Sequence, residues 1–224
     1  MFLSRIFTLY PEYFPGYLNK GLFGKAMNEK IWNLETVNIR DYTFDKHKTV
    51  DDTPYGGGSG MIIKADVLAK SLDENIKEKE KIIYLSPKGK LFDHKYAKEL
   101  STEKTLNLIC GHFEGIDERI IQNRNIEEVS IGDFVLSGGE VATFVVLDAI
   151  LRFIPGVLGN ENSTQDESFE NGLLEYPQYT KPQNWEDKSV PDVLLSGDHA
   201  KIKDWRLSQS EAITRVRRPD MWQK

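Results

Sequence analysis

The sequence predicts an α/β domain built on a mostly parallel β-sheet, with a small helical appendage after it. Two observations predict this fold class. Apolar segments at residues 2–9, 81–85 and 106–110 alternate with segments whose apolar residues recur at helical spacing. The later segments run directly into loops that contain proline or glycine, and near-continuous apolar strands are typical of a parallel sheet covered on both faces.

The first third of the chain supplies the opening elements. A strand is predicted at residues 2–9, followed by a turn at two prolines, a helix at 18–28 and a strand at 34–39. A polar stretch, 40–53, leads into the glycine-rich segment 54–60. A helix is then predicted from Ala65 to Ile76 because apolar residues recur there every three or four positions.

The middle of the chain completes the sheet. A strand at 81–85 is predicted to end at Ser86-Pro87, and a strand at 106–110 to end at Gly111, with a short helix near 96–100 between them. The segment 129–136 is apolar but broken by glycines, and a strongly apolar helix, 141–153, follows it until Pro155-Gly156.

Composition changes sharply after this helix. Residues 159–179 begin with a run of Asn, Ser, Thr, Gln and acidic residues, which is typical of a linker or mobile loop. We therefore predict a first domain at 1–159, a linker at 160–179 and a helical domain at 180–224, most helical at 200–210.

Charge and cysteine content narrow the class of protein. The 224 residues are 39% hydrophobic and 29% charged, with a formal charge of −6. The overall charge argues against a generic nucleic-acid coat. Residues 199–224 hold seven Lys/Arg against three Asp/Glu, so this end carries +4 and the remainder −10. By itself such a basic end is more typical of a solvated surface than of a nucleic-acid contact. One cysteine, Cys110, excludes an internal disulfide and suits a reducing cytoplasm. No apolar stretch is long enough to cross a membrane, and the histidines lack metal-ligand spacing.

Three predicted strand ends carry the candidate site: Leu85-Ser-Pro-Lys-Gly, Gly111-His-Phe-Glu-Gly and residues 130–140, Ser-Ile-Gly-Asp-Phe-Val-Leu-Ser-Gly-Gly-Glu. In a parallel sheet these loops lie on one edge and can converge on a ligand. None matches a P-loop or a dinucleotide fingerprint. A cleft of backbone amides and carbonyls suits a neutral hydrogen-bonding group such as adenine.

Five segments in register then carry a family resemblance. They are Val50-Asp-Asp-Thr-Pro-Tyr-Gly-Gly-Gly-Ser-Gly-Met, Tyr84-Leu-Ser-Pro, Gly115-Ile-Asp-Glu-Arg, residues 130–140 and Arg152-Phe-Ile-Pro-Gly-Val-Leu-Gly. Together they resemble the bacterial tRNA (guanine-N1)-methyltransferases of the TrmD family, in the SPOUT superfamily. The resemblance covers about residues 7–219, and the C-terminal appendage is shorter than in many relatives.

The resemblance implies a deep trefoil knot in the sheet domain, an exception to the rule against threaded chains. It also implies that the knot loops bind S-adenosylmethionine, with backbone hydrogen bonds to adenine and Glu114 near the cationic sulfonium. The implied cofactor contacts, carried over by motif, are Tyr84, Leu85, Ser86, Pro87, Gly111, Phe113, Glu114, Gly115, Ile131, Gly132, Asp133, Phe134, Val135, Leu136, Gly138 and Gly139.

The implied reaction is methyl transfer to N1 of the guanine immediately 3′ of a tRNA anticodon. A base must remove the N1 proton, and a cation must stabilise charge that moves to O6. Arg152, on an otherwise apolar helix, is the candidate cation. The family has Asp where this chain has Glu167, and Asp166 precedes it, so Glu167 is the first candidate base and Asp166 the second.

For tRNA, the resemblance implies contacts from a polar cluster that includes Lys46 and His47, with Asp51 near the flipped guanine. Ser163 and Ser168 flank the candidate bases, and His199 opens a group of basic residues that would contact phosphates: Lys201, Lys203, Arg206, Arg215, Arg217 and Arg218. It further implies a homodimer whose active site lies at the subunit interface, and Mg²⁺ as an aid to transfer in some members.

Two other functions are open at this point. A knotted ribose 2′-O-methyltransferase would need no base matched to a guanine ring proton. A non-catalytic RNA-binding scaffold would retain the fold without binding S-adenosylmethionine.

Overall fold

The computed structural model describes residues 1–77, 79–159 and 167–222. They form two compact units, Met1–Glu161 and Asn162–Lys224. The described strands are β1 (Phe2–Thr8), β2 (Trp32–Asn38), β3 (Asp51–Asp52), β4 (Ile62–Ile63), β5 (Lys81–Leu91), β6 (Thr105–Ile109), β7 (Glu127–Ser130), β8 (Asn184–Trp185) and β9 (Lys188–Ser189). The described α-helices are α1 (Gly21–Asn28), α2 (Ala65–Asn75), α3 (His94–Leu100), α4 (Glu118–Asn123), α5 (Gly139–Leu151), α6 (Asp192–Leu195) and α7 (His199–Arg217).

The first unit is built on a five-stranded sheet in the order β2-β1-β6-β5-β7. Every neighbouring pair in this sheet is parallel. Consecutive residues of a strand point to opposite faces, and Ile6 and Phe7 accordingly enter two different apolar clusters. Helices α1, α3 and α5 contribute to the cluster with Ile6, and α2 and α4 to the cluster with Phe7. The predicted α/β fold with a parallel sheet covered on both faces is confirmed.

Strand β5 differs from its prediction. It was expected to end at Ser86-Pro87, but it continues to Leu91. Leu85 and Lys90 both lie opposite Val129 of β7, so the register shifts between them. The intervening residues therefore leave the regular ladder and are available at the edge of the sheet.

The second unit contains the antiparallel hairpin β8–β9 and two helices. Helix α7 contains the predicted most helical part, 200–210, and extends to Arg217. It begins at His199 and is capped by Asp198, whose side chain accepts a hydrogen bond from the Lys201 N–H. Among residues 167–222 the buried side chains are Ser210 and Thr214. Every described apolar side chain of this unit therefore keeps part of its surface exposed.

No helix within the described residues is both long and apolar enough to cross a membrane.

Candidate functional site

A cavity of about 290 Å³ opens along the irregular part of β5 and beyond the ends of β6 and β7. Its wall combines Tyr84 to Lys88 of β5 with the loops that follow β6 and β7, toward the carboxyl edge of the parallel sheet. All the predicted cofactor-binding residues except Asp133 line it. The structure thus brings together, around one small-molecule-sized space, residues up to 55 positions apart, from Tyr84 to Gly139.

The first wall comes from Tyr84 and the irregular part of β5. Tyr84 is only 8% exposed, and burial, followed by the charge of Glu128, raises the pKa of its phenol. A Cβ on Gly111 would lie 2.7 Å from the Tyr84 ring, and one on Gly115 would lie 2.9 Å from its hydroxyl. The Tyr84 ring therefore packs directly against the backbone of the second loop at Gly111 and Gly115. Because its pKa is raised, the phenol remains neutral at physiological pH.

The second wall is the loop after β6, held in place by backbone contacts. The Glu114 N–H donates to the Met61 carbonyl (2.9 Å), and the Gly115 carbonyl accepts from the Ile63 N–H (3.0 Å). Phe113 has φ of 59° and Gly115 has φ of 114°, both in the left-handed region. A non-glycine residue held there costs energy and is concentrated at functional sites.

The Glu114 side chain lies under the glycine-rich segment that was singled out in the sequence. A Cβ on Gly60 would come within 2.5 Å of the Glu114 carboxylate, so the bare backbone of Gly60 is what allows this approach. The segment that contains Gly60 therefore covers one side of Glu114 while the carboxylate remains at the cavity wall.

The third wall is the loop between β7 and α5. Its junction with α5 crosses the second loop closely: the Gly139 N–H donates to the Gly111 carbonyl (2.9 Å), and His112 and Gly138 form an isolated antiparallel bridge. The apolar part of this loop is exposed, with Val135 84% accessible. This wall is therefore joined to the second loop at its glycine end and exposed at its apolar end.

A buried polar chain lies behind the second and third walls. Glu140, 4% exposed, accepts hydrogen bonds from the Thr8 hydroxyl (2.6 Å) and contacts His112 Nε2 at 2.8 and 2.9 Å. Next to it, Cys110 lies 3.1 Å from the Thr143 hydroxyl. Burial, and then the charge of Glu140, raises the pKa of the Cys110 thiol, which agrees with its predicted role as a buried apolar residue.

Of the predicted catalytic residues, Arg152 does not line this cavity. Arg152 caps the C-terminal end of α5, whereas the cavity contacts the N-terminal end of that helix. Thirteen residues at 1.5 Å each separate these two ends by roughly 20 Å. Glu167 belongs to the second unit, and Asp166 lies outside the described residues.

The predicted tRNA contacts are spread over both units. Asp51 pairs with Ile63 in the β3–β4 hairpin, and Ile63 bridges to Ile116 beside the second loop. Lys46 and His47 are exposed on a turn closed by Asp45, which accepts from the His47 N–H. In the second unit, Ser168 accepts from the Glu175 N–H. His199 is exposed at the start of α7 and Ser163 lies outside the described residues.

Several of the basic residues predicted for phosphate contacts have partners within the second unit. The Arg206 guanidinium lies 4.7 Å from the Tyr176 ring centre, and that of Arg215 lies 4.6 Å from the Trp222 ring centre. Arg218 pairs with Asp220 at 2.6 Å.

Sequence reasoning missed ten residues that also line the cavity: Lys88, His112, Ile116, Glu118, Ile121, Glu128, Val129, Ser130, Ser137 and Ala142. Lys88, His112, Ser130 and Ser137 lie inside the predicted loops, so the loop boundaries could have found them. Glu118 and Ile121 lie on α4, a short helix without a periodic signal strong enough to single out.

Among residues 1–77, 79–159 and 167–222, no three His, Cys, Asp or Glu side chains are grouped so that they could hold a metal ion.

Comparison with known proteins gives a consistent result over the whole chain. A family model described as tRNA (Guanine-1)-methyltransferase TrmD matches residues 2–224. A tRNA (guanine-N(1)-)-methyltransferase of Pelagibacter ubique is 74% identical over 224 residues, which is 100% of this chain and 98% of the relative. Proteins with the same name from Bartonella tribocorum and Brucella canis are 55% and 51% identical. Each match covers 99% of this chain, and 95% and 91% of the respective relatives.

Proposed function

Because the chain belongs to the TrmD family of tRNA (guanine-N1)-methyltransferases and methylates N1 of a tRNA guanine, we propose that the cavity of the first unit binds S-adenosylmethionine. The observation that carries this proposal is the convergence of three glycine-containing loops at one sheet edge. The guanine acted on is the one immediately 3′ of the anticodon.

The residues present fit this cofactor. Glycines let the loops pass close to other side chains: a Cβ on Gly111 would meet the Tyr84 ring, and one on Gly138 would meet the His112 ring. Backbone therefore lies at the cavity wall at both positions, and backbone N–H and C=O groups suit the hydrogen-bonding edge of adenine. Leu85, Val129 and Ala142 supply apolar surface for the ring. Glu114 at the wall supplies a negative charge for the sulfonium. When bound, S-adenosylmethionine supplies the methyl group and leaves as S-adenosylhomocysteine.

We further propose that the first unit contains a trefoil knot in which the segment leading into α5 passes through the second loop. The close crossing at Gly139 supports this path, because a Cβ there would lie 2.6 Å from the Cys110 Cα. A threaded segment would hold both loops in fixed positions and so prepare the cofactor site before the ligand arrives.

Methyl transfer requires two groups that act on the guanine. N1 of neutral guanine carries a proton, which must pass to a base as the N–C bond forms. The electron density left on the ring is drawn toward O6, and the Arg152 guanidinium is the candidate that stabilises it there. Glu167 is the first candidate base and Asp166 the second.

The position of Arg152 supports a dimer with the active site shared between subunits. Along α5, Val141 and Val145 are exposed, Asp148 and Arg152 are partly exposed, and their spacing places all four on one face. A two-fold axis perpendicular to α5 that packs this face against the same face of a second subunit would run the two helices antiparallel. The partner's copy of Arg152 would then lie near the cavity end of α5. The Arg152 of the same subunit is roughly 20 Å from that end, at the opposite end of the helix.

The second unit supports the same assembly. It has no buried apolar side chain among residues 167–222, so its apolar residues remain available to a partner subunit or to tRNA. Together with Asp51 and the exposed turn at Lys46 and His47, this unit would supply the tRNA contacts. Ser168, which accepts a hydrogen bond from the Glu175 N–H, would help to order the segment that contains Glu167.

Mg²⁺, if the reaction uses it, would be bound through waters and substrate rather than by a carboxylate cage.

Heterodimers test both the site and its sharing. Glu114→Ala and Arg152→Ala homodimers should each be inactive. A heterodimer purified with two different tags should regain activity, because one of its two sites combines an intact cofactor loop with an intact Arg152 from the other subunit. If Arg152 acts within its own subunit, both sites of the heterodimer stay defective and no activity returns.

Product analysis tests the reaction itself. Wild-type protein, S-adenosylmethionine and an anticodon stem-loop should give N1-methylguanine at the position 3′ of the anticodon. Ribose methylation would support the 2′-O-methyltransferase, and absence of S-adenosylmethionine binding in calorimetry would support the scaffold.

A further inference from the structure

The buried chain Thr8–Glu140–His112 joins three separate parts of the first unit. Thr8 is the last residue of β1, His112 belongs to the loop after β6, and Glu140 lies in the first turn of α5. His112 and Thr8 are 28 and 132 positions from Glu140 in sequence, yet their side chains lie 2.6–2.9 Å from its carboxylate. Of these three residues, only His112 lines the cavity.

The charge of Glu140 makes this contact more than incidental. A carboxylate that is 4% exposed needs hydrogen-bond donors to offset the loss of water. Its position at the N-terminal end of α5 favours the negative charge, and Thr8 and His112 donate to it. The Tyr10 ring packs edge-on against His112 with centroids 5.0 Å apart, and the Tyr10 N–H donates to the Thr8 hydroxyl. The imidazole is therefore held on two sides.

The position of the imidazole determines how closely two cavity walls approach. A Cβ on Gly138 would lie 2.3 Å from His112 Cε1 and 2.7 Å from Glu140 Oε2, so the third loop rests directly on this pair. The same two loops are joined by the Gly139 N–H to Gly111 carbonyl bond. If the imidazole moved, both the bridge at Gly138 and the backbone groups that face the cavity would move with it.

We propose that Glu140 and His112 are positioning residues for cofactor binding, acting by fixing the second loop against the third. Neither is assigned contact with the guanine or the reacting methyl group. This inference rests on the proposed function, since it presupposes that the cavity takes S-adenosylmethionine.

The test measures S-adenosylmethionine affinity by calorimetry without tRNA, together with kcat at saturating cofactor. His112→Ala leaves a buried acceptor without one donor, and we expect the Kd to rise about tenfold while kcat falls less than about threefold. His112→Gln restores an N–H donor and should recover most of the affinity. Thr8→Val, which removes only the neutral donor, should give a smaller rise. The effects of Thr8→Val and His112→Ala should be non-additive because both act through Glu140.

A matched control comes from another polar group on the same strands. Asn107→Ala, in β6, removes side-chain contacts to Arg5 and Glu80 that do not reach the cavity; it should lower the melting temperature with unchanged Kd. If His112→Ala lowers the melting temperature but binds the cofactor as wild type does, or if His112→Gln fails to recover affinity, the positioning role is wrong. If wild type itself does not bind S-adenosylmethionine, the proposed function fails instead.

Discussion

Two buried polar clusters on strands β1 and β6 differ in what they hold together. In the first cluster, the guanidinium of Arg5, in the middle of β1, contacts Glu80 (2.8 Å) and Asn107 (2.9 Å). Asn107 lies in β6 of the same sheet, and Glu80 directly precedes β5. At the end of β1, Thr8 and Glu140 belong to a cluster that connects loops instead. The first cluster fixes strands that are already fixed by their ladder. The second fixes loops that have no ladder, and there the packing determines the shape of the cavity.

The largest effect is expected where Gly139, at the start of α5, crosses the second loop. A variant at this position tests most directly whether contacts between loops set the shape of the cavity. A Cβ on Gly139 would lie 2.6 Å from the Cys110 Cα and 3.0 Å from the Gly111 nitrogen. Both are backbone atoms with no rotamer to change, so Gly139→Val must separate the second loop from α5. Bringing the two loops back to the spacing of the wild-type site would cost about 3 kcal/mol of overpacking, so S-adenosylmethionine should bind about 100-fold more weakly, as measured by calorimetry.

The control for this variant is Gly159→Ala, because no atom of the described residues beyond its chain neighbour lies within 4 Å of the position its Cβ would take. It should bind the cofactor as wild type does. Wild-type affinity in Gly139→Val would mean that the two walls are not set by this crossing.

The Arg5 cluster should show the opposite pattern, a loss of stability without a loss of binding. Arg5→Ala leaves Glu80, whose side chain is 16% exposed, without the guanidinium that lies 2.8 Å from its carboxylate. Breaking a buried pair in this way destabilises by about 3 kcal/mol, which for a chain of this size lowers the melting temperature by roughly 6–12 °C. Cofactor Kd should change less than about twofold because no member of the cluster lines the cavity.

Lys25→Ala is the comparison for that measurement, since Lys25 and Glu29 form an exposed pair at 3.8 Å and such pairs contribute little. A cofactor affinity that falls in parallel with stability in Arg5→Ala would remove the distinction between the two clusters.

The same contrast explains which parts of the structure could be predicted. The strands and most helices follow from local periodicity, and the three loops could be placed on one edge because parallel strands share a direction. Residues 81–85 were correctly read as buried strand, but the continuation to Leu91 depends on pairing with β7, which local sequence does not encode.

The contacts behind the cavity were beyond local pattern for the same reason. Glu140 is one more polar residue at a predicted helix start, and its burial follows only when Thr8 and His112 arrive from distant segments. Family resemblance supplied Arg152 as a candidate, and the length of α5 is the reason for our proposal that a second subunit brings it to the cavity.

The smallest effect is expected at an exposed ion pair, which sets the lower limit of the comparison. Arg124, at the end of α4, contacts Asp73 of α2 at 2.7 and 2.8 Å. The hydrogen bond from Arg124, followed by its charge, lowers the pKa of the Asp73 carboxyl against an opposing effect of burial. A lowered folded-state pKa adds stability above the unfolded value of about 3.9, and this contribution is lost as pH falls through the lowered value.

Because the pair is exposed, Asp73→Asn should lower the free energy of unfolding in urea by less than about 1 kcal/mol at pH 7 and at pH 5, and this loss should shrink at pH 3. A cost at pH 7 equal to that of Arg5→Ala would show that burial is not what separates these charges, and a cost that persists unchanged at pH 3 would show that the carboxylate is not its source.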